Sequence, residues 1–264
     1  MSGYAIPAND VNANAPLLEV RNLAKSFGKG KKAKPVLTNL NFTLNEGEVL
    51  GIIGESGCGK SVLLNLISCL DPVTKGQLLF KGEDYTGRKP GSVCRWFQVI
   101  FQDSEAAFDP KATIRASMRE NLKLLSHDVS HADEKIDEMV TLMGLDVKLA
   151  DRYPRQLSGG QVQRMSIARG LVTEPNMLLC DEITSALDVS AQAMILQYLY
   201  ELRMKRGLTM VFVSHDLALC STFCDRIAIM QEGEIVEIGT PGQIMDNPQH
   251  EYTKLLLDAV LYVK

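Results

Sequence analysis

At 264 residues the chain is long enough for one large domain, or for one domain with a subdomain. Its 45% hydrophobic and 23% charged residues are ordinary for a soluble globular protein. A net charge of -4 gives no general attraction to nucleic acid or anionic lipid, and no apolar run is long enough to span a bilayer. The start, Met1 to Ala5, lacks a basic region followed by an apolar stretch, so no signal peptide is expected. The six scattered cysteines read as reduced thiols in a cytoplasmic setting.

Residues 1 to about 15 are rich in Asn, Ala and Pro without periodicity and predict a loose tail. Leu17 to Arg21 begins a first strand. Phe27 follows at its end, where an aromatic ring is a candidate to stack on a nucleotide base; an ordinary core Phe is the competing reading. Lys29 to Lys34 is a basic run of the kind found in solvated hairpin loops, and Val36 to Leu44 reads as a second strand. Glu48 to Ile53 is a short apolar run, read as a buried strand, and Val62 to Ile67 reads as a buried helix.

Between them lies Gly54-Glu55-Ser56-Gly57-Cys58-Gly59-Lys60-Ser61, which fits the phosphate-binding pattern G-x-x-x-x-G-K-[ST] in the strand–loop–helix context it requires. Glycines let the backbone wrap closely around a polyphosphate. The loop N–H groups and the positive helix end face the anion. Lys60 supplies a point charge for the terminal phosphates, and the Ser61 hydroxyl is placed to hold Mg2+.

Gly76 to Gly82 and Gln98 to Gln102 read as further strands. Gln102, polar after a buried run, is a candidate to touch Mg2+ or to order water, against the plainer reading of a surface residue. From about 110 to 158 apolar residues take helical spacing, which predicts a helical insertion. His127 and His131 have a metal-binding spacing but lie in a polar stretch without further ligands. Leu157-Ser158-Gly159-Gly160-Gln161 places a capping Ser and two glycines before a helix, Gln161 to Arg169, and so offers a second anion site. Met177 to Glu182 is an apolar strand ending in two carboxylates. Asp181 suits Mg2+ coordination and Glu182 suits general-base work on water. Ser190 to Arg206 predicts a helix capped by Ser190 and stopped by Gly207. Leu208 to Val213 is the next strand, with His215 at its tip as a catalytic candidate; Cys220 and Cys224 on the helix after it read as buried packing. Arg226 to Met230 and Glu234 to Ile238 predict a hairpin.

Taken in order, these motifs resemble the ATP-binding subunit of ABC transporters. Gly54 to Ser61 looks like Walker A and Gln102 like the Q-loop glutamine. Leu157 to Gln161 (LSGGQ) matches the family signature. Asp181-Glu182 looks like the end of Walker B, and Ser185-Ala186-Leu187-Asp188 like the D-loop. His215 looks like the switch histidine, and Phe27 falls where the base-stacking aromatic sits. Two positions depart from the pattern. Cys180 replaces an aliphatic, which a small thiol tolerates, and Ile183 replaces a frequent Pro, which predicts a looser turn after Glu182. Phe101 to Ser104, Phe108 to Pro110 and Pro248 to Leu256 are similar to the peptide, nickel and opine importer branch, although the cysteine cluster sometimes found in the tail of that branch is not seen before Lys264.

The resemblance implies an α/β P-loop NTPase core with an antiparallel β subdomain and a helical subdomain insertion, followed by a C-terminal extension from about 240. It implies ATP and Mg2+ as ligands, and a second cassette, the same or a paralogue, forming an ATP sandwich in which Ser158 to Gln161 of one chain meets the Walker A site of the other. Transmembrane permease subunits and a substrate-binding protein are the further partners implied, at the cytoplasmic face of the membrane and without nucleic acid. A soluble ABC-type ATPase acting on ribosomes or DNA is the alternative. Such proteins usually carry two cassettes or a long coiled coil, whereas this sequence has one P-loop and no sustained heptads.

Overall fold

The computed structural model describes residues 15–28, 30–125, 129–184 and 187–261. The expected tail up to residue 14, His127, and Ser185 and Ala186 of the D-loop-like segment lie outside the described residues. In chain order, β1 (Leu18–Phe27) and β2 (Lys34–Leu44) form a hairpin across a short 3-10 turn, Gly30–Lys32. β3 (Val49–Ile53) leads through the glycine-rich loop into α1 (Lys60–Ile67), and β4 (Lys75–Phe80) and β5 (Glu83–Asp84) follow. A single turn, α2 (Pro90–Val93), precedes β6 (Phe97–Ile100). Next come α3 (Ile114–Leu125), α4 (Ala132–Leu142) and α5 (Gly159–Leu171). The chain then alternates: β7 (Met177–Asp181), α6 (Val189–Arg206), β8 (Thr209–Ser214), α7 (Leu217–Phe223). It closes with β9 (Arg226–Gln231), β10 (Glu234–Gly239), α8 (Pro241–Asp246) and α9 (Glu251–Leu261).

Two sheets result. A four-stranded antiparallel sheet has the order β2-β1-β4-β5, and a six-stranded sheet has the order β10-β9-β3-β8-β7-β6. The larger sheet is parallel except for β10, which pairs antiparallel with β9. Its central strands β3, β8 and β7 are buried at every position because both faces are covered. Successive residues point to opposite faces, so each strand serves two cores. Leu50, Ile52, Leu179, Val211 and Val213 pack with α1 and the smaller sheet, whereas Val49, Ile53, Leu178, Met210 and Phe212 pack with the helices of the other face.

The helices between β6 and α5 are held to one another by burial and by charge. Ile136, Met139 and Val140 of α4 share a core with Met118 and Leu122 of α3. Arg115 donates to Asp137 and to Asp151, each at 2.6 Å, and Arg119 pairs with Asp133.

Three local expectations are revised. The β6 strand stops at Ile100, so Gln102 lies beyond the ladder. Helix α6 is capped by Asp188, not Ser190: the Asp188 carboxylate accepts from the Ala191 amide at 2.8 Å, and Ser190 already lies within the first turn. Gly207 ends that helix as expected, with φ +65°. Cys224 lies just past the end of α7, and both Cys220 and Cys224 are buried.

Candidate active site

The strand register brings the motifs to one edge. Along the carboxyl ends of the parallel strands, Ile53 pairs with Ser214, Asp181 with Val213, and Ile100 with Cys180. The loop after β3, the carboxylates ending β7, His215 after β8 and Gln102 after β6 therefore leave the sheet at neighbouring points. That edge is where open α/β sheets bind ligands.

The loop itself is shaped by its glycines. A Cβ on Gly54 would lie 2.1 Å from the Met230 carbonyl oxygen, so only glycine lets the loop leave β3 beside β9. Gly59, at φ +106°, is in the left-handed region and serves as the N-cap from which α1 starts at Lys60. Lys60 is 6% exposed, and its ammonium is satisfied by the loop's own backbone. Nζ donates to Gly54 O at 2.7 Å and to Glu55 O at 2.9 Å. Cys58 is buried beside it, and burial pushes its thiol above the ordinary value, with Lys60 opposing.

Glu182 is the point on which the other motifs converge. Its carboxylate lies 3.9 Å from Lys60 Nζ and 3.8 Å from His215 Nδ1, and it accepts a hydrogen bond from Gln102 Nε2 at 3.1 Å. The side chain leaves the strand because the backbone turns sharply. Glu182 has φ +47°, a left-handed conformation costing a non-glycine residue roughly 1–2 kcal/mol, and its N–H is held by Val213 O at 3.1 Å. Of the turn expected to be looser at Ile183, residues 183 and 184 are described. Ile183 is fully buried, and its carbonyl accepts from Gln163 Nε2 of α5 at 2.9 Å.

Asp181 is 8% exposed and hydrogen-bonds the Ser61 hydroxyl. Burial is the main force pushing its carboxyl above the usual carboxylate range. The Ser61 contact pulls it back, Glu182 pushes it further up and Lys60 opposes. The pair is not a pair of solvated loop acids. Cys180 is fully buried, as a small thiol permits, and burial raises its pKa strongly.

Phe27 ends β1 with 43% of its surface exposed, which removes the core reading. The buried Lys25 ammonium lies 4.7 Å from its ring centroid and donates to Pro72 O at 2.6 Å. Ser158 caps α5 in a reciprocal capping box: Gln161 N donates to Ser158 Oγ at 3.4 Å, and Ser158 N donates to Gln161 Oε1 at 3.0 Å. Gly159 and Gly160 form the first turn behind it. Among the described residues no cluster of three or more His, Cys, Asp and Glu side chains could hold a metal; His131 faces Glu134 on the surface at 2.8 Å.

Sequence reasoning missed Gln163, which ties α5 to the Glu182 turn, and Tyr252 of α9, whose hydroxyl accepts from the Glu55 amide at 3.2 Å. Gln163 carries no motif signal of its own, and Tyr252 lies in the 248–256 stretch similar to the importer branch, which gave it no role at the phosphate loop.

Comparison with known proteins identifies the family. The family model described as ABC transporter matches residues 37–185. The oligopeptide transport ATP-binding protein OppF of Bacillus subtilis is 38% identical over 250 residues, covering 92% of this chain and 82% of that protein. The dipeptide transport ATP-binding protein DppF of Haemophilus influenzae is 38% identical over 262 residues, covering 95% and 80%. Among solved structures, a dimeric post-hydrolysis structure of the ATP-binding cassette MJ0796 bound to ADP and Pi superposes with TM-score 0.78 at 29% identity, over 85% of this chain and 98% of that one. The chain therefore belongs to the ABC transporter family, as one of its ATP-hydrolysing P-loop cassettes.

Proposed function

We propose that this chain is the ATP-hydrolysing subunit of a peptide importer, docked peripherally on the cytoplasmic face of the membrane. The observation that carries the catalytic part is the convergence of Lys60, Gln102 and His215 on Glu182, beside the Ser61–Asp181 pair. The printed names of the relatives favour peptides over nickel or opines as cargo. No helix among the described residues is long and apolar enough to cross a membrane; in this reading separate subunits span it.

In this reading residues 54–61 wrap the ATP phosphates and Lys60 meets the terminal ones. Phe27 stacks on the base with its exposed ring. Glu182 takes a proton from water as the water oxygen attacks the γ-phosphorus. The bond from that phosphorus to the bridging oxygen breaks, and ADP and phosphate are released. Gln102 and His215 hold the Glu182 carboxylate and the water in line. Ser158 to Gln161 present the N-terminus of α5 to the nucleotide of a second cassette, the same chain or a paralogue.

Ser61, Asp181 and Gln102 carry hard oxygen donors, a hydroxyl, a carboxylate and an amide oxygen, and would hold Mg2+. When bound, Mg2+ supplies charge neutralisation on the phosphates. An ion shared with substrate phosphates also suits a site with few protein carboxylates. Asp181→Asn separates the two demands on that residue. Because burial disfavours the charged form in the folded chain, the neutral variant is expected to raise the melting temperature without nucleotide. Mg2+-dependent ATP binding and turnover should collapse in the same protein. A thermal scan and a Mg2+ titration check the pair of outcomes.

The docking surface proposed for the permease is the segment 102–125, where Leu124 is 68% exposed; Phe101, just before it, is 36% exposed. Purification of the chain from detergent-solubilised membranes, followed by crosslinking and mass spectrometry, tests the reading. Crosslinks from 102–125 to transmembrane subunits are expected. Recovery with ribosomes or DNA, or crosslinks only from the basic loop around Lys32, would overturn it.

A further inference from the structure

The C-terminal helix reaches the phosphate loop. Tyr252, in the first turn of α9, is 7% exposed, and its hydroxyl accepts from the N–H of Glu55 at 3.2 Å, across 197 residues of sequence. The carbonyl of that same peptide unit belongs to Gly54, and it accepts from Lys60 Nζ at 2.7 Å. One amide plane is thus held at both ends, by a phenol on its N–H and an ammonium on its oxygen. The next carbonyl, Glu55 O, accepts from Lys60 Nζ at 2.9 Å and from Cys58 N at 3.3 Å.

A peptide unit is planar, so fixing its N–H fixes the direction of its carbonyl. A hydrogen bond at the N–H also polarises the C=O and makes it a stronger acceptor. An ammonium has three N–H donors. Two of those on Lys60 rest on Gly54 O and Glu55 O, which aims the third.

The anchor itself is fixed. Glu237 of β10 accepts from the amides of Gln249 at 2.8 Å and His250 at 3.0 Å, and His250 Nδ1 accepts from the Tyr252 amide at 3.2 Å. On the loop's other flank Gly54 is in close approach to Met230 O. The loop entry is held between β9 and α9.

We propose that Tyr252 is a positioning residue for Lys60: its hydroxyl orients the Gly54–Glu55 peptide, whose carbonyl aims the Lys60 ammonium at the phosphates of ATP. The segment after β10 is then part of the nucleotide site and not only an appendage to it. The proposal rests on the reading of residues 54–61 as the ATP site.

Tyr252→Phe in the full chain keeps the ring and its packing and removes only the acceptor. Binding of ATP and ADP is measured by competition with a fluorescent nucleotide, turnover as kcat and KM, and backbone mobility by hydrogen–deuterium exchange. The expected result is a rise in Kd of about 2–10-fold, the range for loss of one hydrogen bond. KM should rise more than kcat falls. Exchange in the peptide covering residues 54–61 should quicken, with the melting temperature and exchange elsewhere kept.

Wild-type affinity in Tyr252→Phe would overturn the proposal. So would weakened affinity accompanied by a lower melting temperature and faster exchange throughout, which marks Tyr252 as packing alone. Lys60→Ala, measured alongside, keeps the two readings apart. Normal ATP binding in Lys60→Ala removes the ATP-site reading, whereas impaired Lys60→Ala with normal Tyr252→Phe removes only the role of Tyr252.

Discussion

Glu182→Gln is expected to lower ATP turnover by about 10²–10⁴-fold, the usual worth of general-base help, while ATP binding survives. Gln keeps the shape of the side chain and can still hydrogen-bond Gln102, but it cannot take a proton from water. The loss of its charge also removes the ion pair to Lys60 at 3.9 Å and alters the contact with His215 Nδ1 at 3.8 Å, so part of the loss is electrostatic. With hydrolysis blocked, ATP is retained, and a cassette that pairs through ATP accumulates as a dimer. A turnover assay and size exclusion with ATP and Mg2+ read the two effects separately. A Glu182→Gln protein that turns over normally would take Glu182 out of the base role. One that is inactive yet stays monomeric with ATP would count against the ATP sandwich.

Lys60→Ala is expected to act earlier in the cycle, on binding itself. The variant loses a buried cation that serves the phosphates, and it leaves Gly54 O and Glu55 O without the donor that now satisfies both. Hydrogen bonds to charged groups contribute about 1.5–3 kcal/mol each, so ATP affinity should fall by at least ~10–10²-fold and turnover should be lost at ordinary ATP concentrations. Competition binding with a fluorescent nucleotide measures the first and phosphate release the second. Wild-type binding in Lys60→Ala would sink the reading of residues 54–61.

Much of this molecule is legible from its local patterns. The buried strand before Gly54, the cap at Ser158 and the carboxylates ending β7 are local features, and short-range chemistry writes them into consecutive residues. The strand order is different. That β3 lies between β8 and β9 follows from pairing across more than a hundred residues, and that Glu182, Gln102 and His215 meet follows from β6 and β8 flanking β7; neither leaves a local trace. The same is true of Tyr252, an apolar-patterned residue of a terminal helix whose hydroxyl matters only because α9 is pinned to β10 by Glu237. The start of α6 shows a smaller gap. Asp188 and Ser190 are both good capping residues, and only the extended backbone at Asp188, φ -66° and ψ 159°, decides between them. A missing Pro says little about the turn after Glu182, where the Ile183 carbonyl is held by a glutamine twenty residues upstream.

That glutamine has a mechanical meaning. Gln163 is 2% exposed, sits one turn into the helix that Ser158 caps, and grips the carbonyl of Ile183, the residue immediately after Glu182. A short, desolvated strut of this kind resists stretching and shear. Helix α5 cannot rock about its capped end without dragging the backbone on which the Glu182 carboxylate is mounted. In the proposed pair of cassettes, the surface that one chain would lend to its neighbour's nucleotide and the acid it keeps for its own would thus be joined in series, like two ends of one lever. Release of phosphate at one nucleotide would then be felt as a displacement at the other.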